Sequence, residues 1–131
     1  MLTGPRGAGS AMSQDASGHF LISRAEGVTV ITIVDSQLVL ANRDRLYDLA
    51  NKLVDAPQPR WVVLNMSRVT AFQSLALGIL IHFQKRVREN GGSLKLCCLD
   101  PLIVEALRLS RVHAAFEISR TEREAIDGFL G

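Results

Sequence analysis

Trp61 to Val87 reads WVVLNMSRVTAFQSLALGILIHFQKRV, and the change of period inside it decides the fold. Trp61 to Met66 is a short apolar run with β-branched residues, polar residues follow as far as Thr70, and the next apolar residues recur at helical spacing. That is a buried strand, a loop and a helix. Projected at about 100° per residue, Ala76, Ile79, Leu80, Phe83 and Val87 share one side, which should face a sheet. Ser74, Gly78, Ile81, His82 and Lys85 fall on the other. The helix runs from Ser74 to Asn90 and ends at Gly91 and Gly92. Ser74 therefore stands at the turn into the helix, away from the core, beside a glycine and an isoleucine that the core does not need.

Upstream, His19 to Arg24 and Val28 to Val34 are β-rich runs separated by Ala25-Glu26-Gly27, a hairpin pattern. The second run is apolar or Thr throughout, as in a strand covered on both faces. Gln37 to Leu40 offers a brief third strand. From Asn42 the period changes: Leu46, Leu49, Ala50, Leu53 and Val54 mark a helix with Asn42 as N-cap, stopped by Pro57 and Pro59. Downstream, Leu94 to Leu99 is a strand, and Asp100-Pro101 opens a helix with Asp as N-cap and Pro in the first turn. Ile103, Ala106 and Leu107 give that helix its apolar stripe. Phe116 to Ile118 is a last short strand, and capping-box patterns at Ser119 and Thr121 lead into a terminal helix carrying Ala125, Ile126 and Phe129. Strands alternating with helices after a hairpin predict an α/β domain with a mostly parallel central sheet and about four helices over residues 19–131. Residues 1–18, rich in Gly, Ser and Ala without a hydrophobic period, read as a flexible tail outside it.

A chain of 131 residues with 47% hydrophobic residues is long and apolar enough for one packed core. Its formal net charge of +2 is spread too thinly to make a nucleic-acid stripe. No apolar run approaches the ~18 residues of a membrane span, and no secretory pattern opens the chain. The only cysteines, Cys97 and Cys98, are adjacent in a strand-like run, where they should face opposite sides and form no ordinary bridge, which suits a reducing compartment. These features point to a soluble, cytoplasmic protein with neither nucleic acid nor membrane as partner.

Catalysis finds little support. A nucleophilic thiol needs a base and an accessible electropositive setting, whereas both cysteines lie in a strand pattern. His19, His82 and His113 show no metal-ligand spacing with each other or with the cysteines. Gly91-Gly92 closes a helix instead of opening one, so there is no phosphate-cradling loop. No cofactor is expected, and the protein reads as a non-enzyme. Ser74 itself has an ordinary reading as a helix N-cap, worth typically ~1 kcal/mol.

In this order of elements the chain resembles the STAS domain, the fold of bacterial anti-sigma factor antagonists. The family's strand ending in Leu-Asp-Leu, its loop Ser-Gly-Val-Thr and its helix opening Asp-Ser-Ser-Gly-Leu-Gly are matched by Leu64-Asn65-Met66, Ser67-Arg68-Val69-Thr70 and Gln73-Ser74-Leu75-Ala76-Leu77-Gly78. Gly91 to Leu96, Pro101 to Val112 and Phe116 to Ile118 extend the similarity. The resemblance implies a protein-interaction switch: the unphosphorylated domain binds an anti-sigma factor, itself a serine kinase, and so releases a sigma factor, while a phosphatase reverses phosphorylation. Ser74 corresponds to the phosphoacceptor, and Gln73, Leu75, Gly78, Ile81 and His82 to the contact surface, with the loop Asp35 to Asn42 as a second contact. Gln73 stands where the family commonly has Asp, Leu75 where it has a second Ser, Ala76 where it has Gly, and Arg68 and Arg111 where it often has Gly. Two other readings stay open: a non-phosphorylated scaffold or oligomer subunit, and a small-ligand or nucleotide-binding STAS domain. The assembly is a monomer or a homodimer.

Overall fold

The computed structural model describes Ser13–Gln14 and residues 18–131. Its strands are β1 (Ser13–Gln14), β2 (Phe20–Ala25), β3 (Val28–Ile33), β4 (Arg60–Asn65), β5 (Gly92–Cys97) and β6 (Glu117–Ser119). Its helices are α1 (Leu40–Asn51), α2 (Ser74–Glu89), α3 (Pro101–Leu109) and α4 (Glu122–Leu130). The strands form one sheet in sequence order, β1 to β6, antiparallel through β3 and parallel from β3 onward. The hairpin turns on Glu26 and Gly27, both at positive φ (55° and 84°), the two-residue geometry whose twist matches that of its strands.

Every parallel step moves the chain one strand further in the same direction. Right-handed crossovers then place α1, α2 and α3 on one face. Phe20, Ile31, Ile33, Leu46, Leu64, Leu80, Phe83, Leu96, Ile103 and Leu107 form the main core there. The other face of the central strands is left for α4, whose Ala125 and Ile126 pack on Val28, Val30, Val63 and Cys97. Trp61 stacks on Phe129 with ring centroids 5.5 Å apart. Strand β3 is thus covered on both sides, as its unbroken apolar pattern predicts.

Several expectations are corrected. Gln37 to Leu40 is no strand: Leu38 is buried in the main core and Leu40 begins α1. Asn42 is not the N-cap but the third residue of α1, where its Oδ1 reaches back to accept from Val39 N–H at 2.7 Å. It supplies the return half of a capping box. Val54 falls in a short 3-10 turn (Lys52–Asp55) after α1 and is 55% exposed. Cys98 leaves the strand at φ 64°, which swings its Sγ to 3.4 Å from that of Cys97, so the two side chains do not diverge as an extended chain requires. Within the tail expected over residues 1–18, Ser13–Gln14 pairs antiparallel with Leu21 and Ile22; residues 1–12 and 15–17 lie outside the described residues.

The glycine that the resemblance places at the end of α3 has a visible purpose. Arg111, at φ 61°, follows the last turn; its N–H bonds Arg108 C=O and that of Val112 bonds Leu107 C=O at 3.1 Å. This is the paired closure in which a left-handed residue ends a helix, and here arginine occupies the glycine position.

Candidate functional site

At the C-terminal ends of β3 and β4 two loops are tied together. Ser36 C=O accepts from the N–H groups of Thr70 (2.9 Å) and Ala71 (3.1 Å), so the loop entering α1 and the loop entering α2 form one surface. Asn65 braces the second loop from beneath: its Oδ1 accepts from Ser67 N–H and its Nδ2 donates to Glu122 Oε1, both at 2.9 Å. A third brace lies under the first loop. Asp35 Oδ2 takes hydrogen bonds from His19 Nδ1 (2.6 Å) and Asn42 Nδ2 (2.7 Å), while Asn42 Oδ1 holds Val39 N–H.

The start of α2 differs from the N-cap reading of Ser74. Gln73 is the N-cap, with extended φ and ψ of −113° and 172° and no side-chain bond to the helix. Ser74 is the first helical residue, exposed, and among the described residues its hydroxyl makes no hydrogen bond. The first turn carries no acidic residue either. Its N–H groups and the positive end of the helix dipole thus meet no acidic side chain from the helix's own first turn. Adding a phosphate to Ser74 would put negative charge where the helix favours it.

Around Ser74 the projected face is confirmed. Ala76, Ile79, Leu80, Phe83 and Val87 are buried, whereas Gln73, Ser74, Leu75, Ile81, His82 and Lys85 are exposed and Gly78 is half-buried. A Cβ built on Gly78 meets nothing within 4 Å, so packing within the chain does not require glycine there. Leu75 and Ile81 are 43% and 37% exposed. Val39 and Leu40, at the end of the first loop, are also exposed, and the sequence pattern did not show it because the strand assigned to Gln37–Leu40 concealed their exposure. Asn42, expected as a contact, is fully buried, and Asp35 has both its hydrogen bonds turned inward. Burial thus removes Asn42 from the contact surface and leaves it holding the loop, whereas Asp35 keeps about a third of its side chain exposed.

Among the described residues no group of three or more His, Cys, Asp or Glu gathers to hold a metal. Burial, followed by the hydrogen bond with Cys98, pushes the Cys97 thiol far up from its ordinary range, which leaves it neutral and unreactive. Gln84 is a buried polar residue that periodicity alone could not separate from the core; its Nε2 donates to Ala115 C=O at 2.9 Å and joins α2 to the segment before β6.

The STAS domain model matches residues 20–125, from β2 into α4. The chain belongs to the STAS domain family. Solved STAS structures share its fold at low identity. An anti-sigma factor antagonist domain protein from Planctomyces limnophilus is 23% identical, over 86% of this chain and 98% of that one, with a TM-score of 0.72. The anti-sigma factor antagonist SpoIIAA in its unphosphorylated form, a protein also known in a phosphorylated form, is 17% identical over 86% of this chain and 96% of that one, with a TM-score of 0.67. A murine Solute Carrier 26 family anion transporter contains a region of similar fold: 12% identity, 89% of this chain, 21% of that one, TM-score 0.63. In the present STAS chain, among the described residues, no helix is long and apolar enough to cross a membrane.

Proposed function

We propose that this STAS domain is an anti-sigma factor antagonist: it binds an anti-sigma factor of the serine-kinase type, so releasing a sigma factor, and phosphorylation of Ser74 ends the complex. The observation that carries this reading is the setting of Ser74. It is exposed at the start of α2, which has no side-chain cap, makes no hydrogen bond among the described residues, and lies on the helix that carries exposed Leu75 and Ile81. A residue kept for helix capping would have its hydroxyl on the backbone. Among the described residues it makes no such bond.

The switch follows from charge. A phosphoserine carries about −1.5 to −2 charges at pH 7. On the free domain, the start of α2 stabilises that charge by a few tenths of a kcal/mol to ~1 kcal/mol. Under a bound protein the same group must lose water beside apolar surface, at a cost of several kcal/mol. Gln73, Leu75, Gly78, Ile81 and His82 form the proposed contact surface, and Asp35 and Asn42 hold the neighbouring loop in place. A phosphatase restores the binding form.

Gln73 in place of the family's Asp favours a second reading, a constitutive scaffold that is never phosphorylated. Incubation with the serine kinases of its own cell, followed by phosphosite mapping, separates the two. The switch requires phosphate on Ser74 and loss of label in Ser74→Ala; a kinase that binds the domain yet leaves Ser74 unmodified supports the scaffold.

A further inference from the structure

A second site lies toward the N-terminal ends of the parallel strands, remote from Ser74. Where the last turn of α1 crosses the sheet, the small side chains Ala50 and Thr29 leave a gap of about 50 Å³. Buried Ile31, Ala50, Val62 and Phe83 form its floor, and half-buried Ile22, Thr29, Leu49 and Leu53 form walls that reach the surface. The lining is hydrocarbon except for the Thr29 hydroxyl. A stable buried water needs two to four polar partners, and this gap offers one, so it suits an alkyl group better than water.

The rim carries the opposite chemistry. Arg24 pairs with Thr29 across the hairpin and follows Ile22 on the same face of β2. Its Nη1 donates to Thr29 Oγ1 at 2.7 Å, and its Nη2 approaches Gly27 C=O at 3.4 Å. Among the described residues no carboxylate pairs with it. A guanidinium has five donors in a planar fork. Two N–H groups are engaged here, and the rest remain for an anion one hydrogen bond away from an apolar gap.

We infer that the gap and Arg24 together form a binding site for a short-chain monocarboxylate, the chain end entering between α1 and the sheet and the carboxylate resting on the guanidinium. The size of the gap sets the selectivity. At about 50 Å³ it takes only the end of an alkyl chain, the rest lying in its open mouth; a rigid ring, which fills a cavity of ~150 Å³, does not enter. Chains of about four to six carbons can reach from the guanidinium to the floor while burying their methylenes.

Hexanoate, butyrate, acetate and hexanol, titrated into the intact chain at pH 7 and constant ionic strength, test the assignment, with calorimetry and the methyl NMR signals of Ile22, Ile31, Leu49 and Leu53 as readouts. Hexanoate is expected to saturate with a Kd on the order of 1 mM. Affinity should rise about fourfold per methylene from butyrate to hexanoate, and acetate should give no shift. Arg24→Gln should lower hexanoate affinity to that of hexanol, because only the charged hydrogen bonds are lost. Ala50→Leu, which fills the gap, should abolish binding of both; if that variant does not melt cooperatively, Leu53→Phe serves the same purpose from the wall. Absence of saturable hexanoate binding, methyl shifts confined to other parts of the domain, or undiminished binding in the gap-filled variant overturns the proposal.

Discussion

Replacing Ser74 by alanine separates a structural serine from a functional one. Were Ser74 the N-cap of α2, the substitution would remove a side-chain bond to the first turn and cost about 1 kcal/mol. In the structure the cap is Gln73, whose C=O already accepts from Ala76 N–H at 2.9 Å, and the Ser74 hydroxyl bonds nothing among the described residues. Alanine is also the better helix former, by up to ~0.5 kcal/mol. Ser74→Ala should therefore leave stability unchanged or raise it by at most that amount. For a domain of this size the urea slope is roughly 1.5 kcal/mol per M, so the midpoint should move by zero to about +0.3 M. A cap would instead lower it by about 0.7 M. Equilibrium urea unfolding followed by circular dichroism makes the comparison. A fall of about 0.5 M or more refutes the assignment and returns Ser74 to a structural role.

Four further outcomes follow from the same structure. Gly78→Ala should stabilise the free domain by about 0.5–1 kcal/mol, because a Cβ there meets nothing within 4 Å, and should weaken binding to the anti-sigma factor proposed to cover this face; urea melts and titration calorimetry read the two effects. Arg111→Gly should also stabilise, by about 0.5–1 kcal/mol, by relieving the left-handed residue that closes α3, with the thermal midpoint as the readout. Iodoacetamide at pH 8 should label Cys98 but not buried Cys97, and both in urea, with the products counted by mass spectrometry. Since burial raises the Cys97 pKa in the folded state, the folded chain holds that proton longer than the unfolded one. Its contribution is complete below about pH 9 and is lost as pH rises above it, by up to ~1.4 kcal/mol per pH unit, a slope that Cys97→Ala should remove.

The strongly periodic segments were legible because one physical cause dominates each of them. The buried stripe of α2, the doubly covered β3 and the Asp100-Pro101 start of α3, where Asp100 Oδ1 accepts from Leu102 N–H, all follow local rules. The failures sit where tertiary contacts overrule such rules. Gln37–Leu40 has strand-like composition, but Leu38 is drawn into the core and Asn42 turns back to cap Val39, so the helix begins early. Asn42 looked like a surface cap because its second partner, Asp35, becomes visible only when the loop closes on His19. The Cys97–Cys98 geometry depends on one left-handed residue that no periodicity encodes. For the site, the exposed face of α2 was readable from projection, whereas the joining of the two loops through Ser36 was not, because it rests on a backbone carbonyl.

The central claim is that the Ser74 face is a protein-binding surface switched by phosphate. The most direct test is the affinity of the domain for its anti-sigma factor, measured by calorimetry with Ser74 either unmodified or stoichiometrically phosphorylated. The account predicts a loss of at least about 30-fold, corresponding to ~2 kcal/mol, with the fold and its urea midpoint preserved. Equal affinity of the two forms contradicts it.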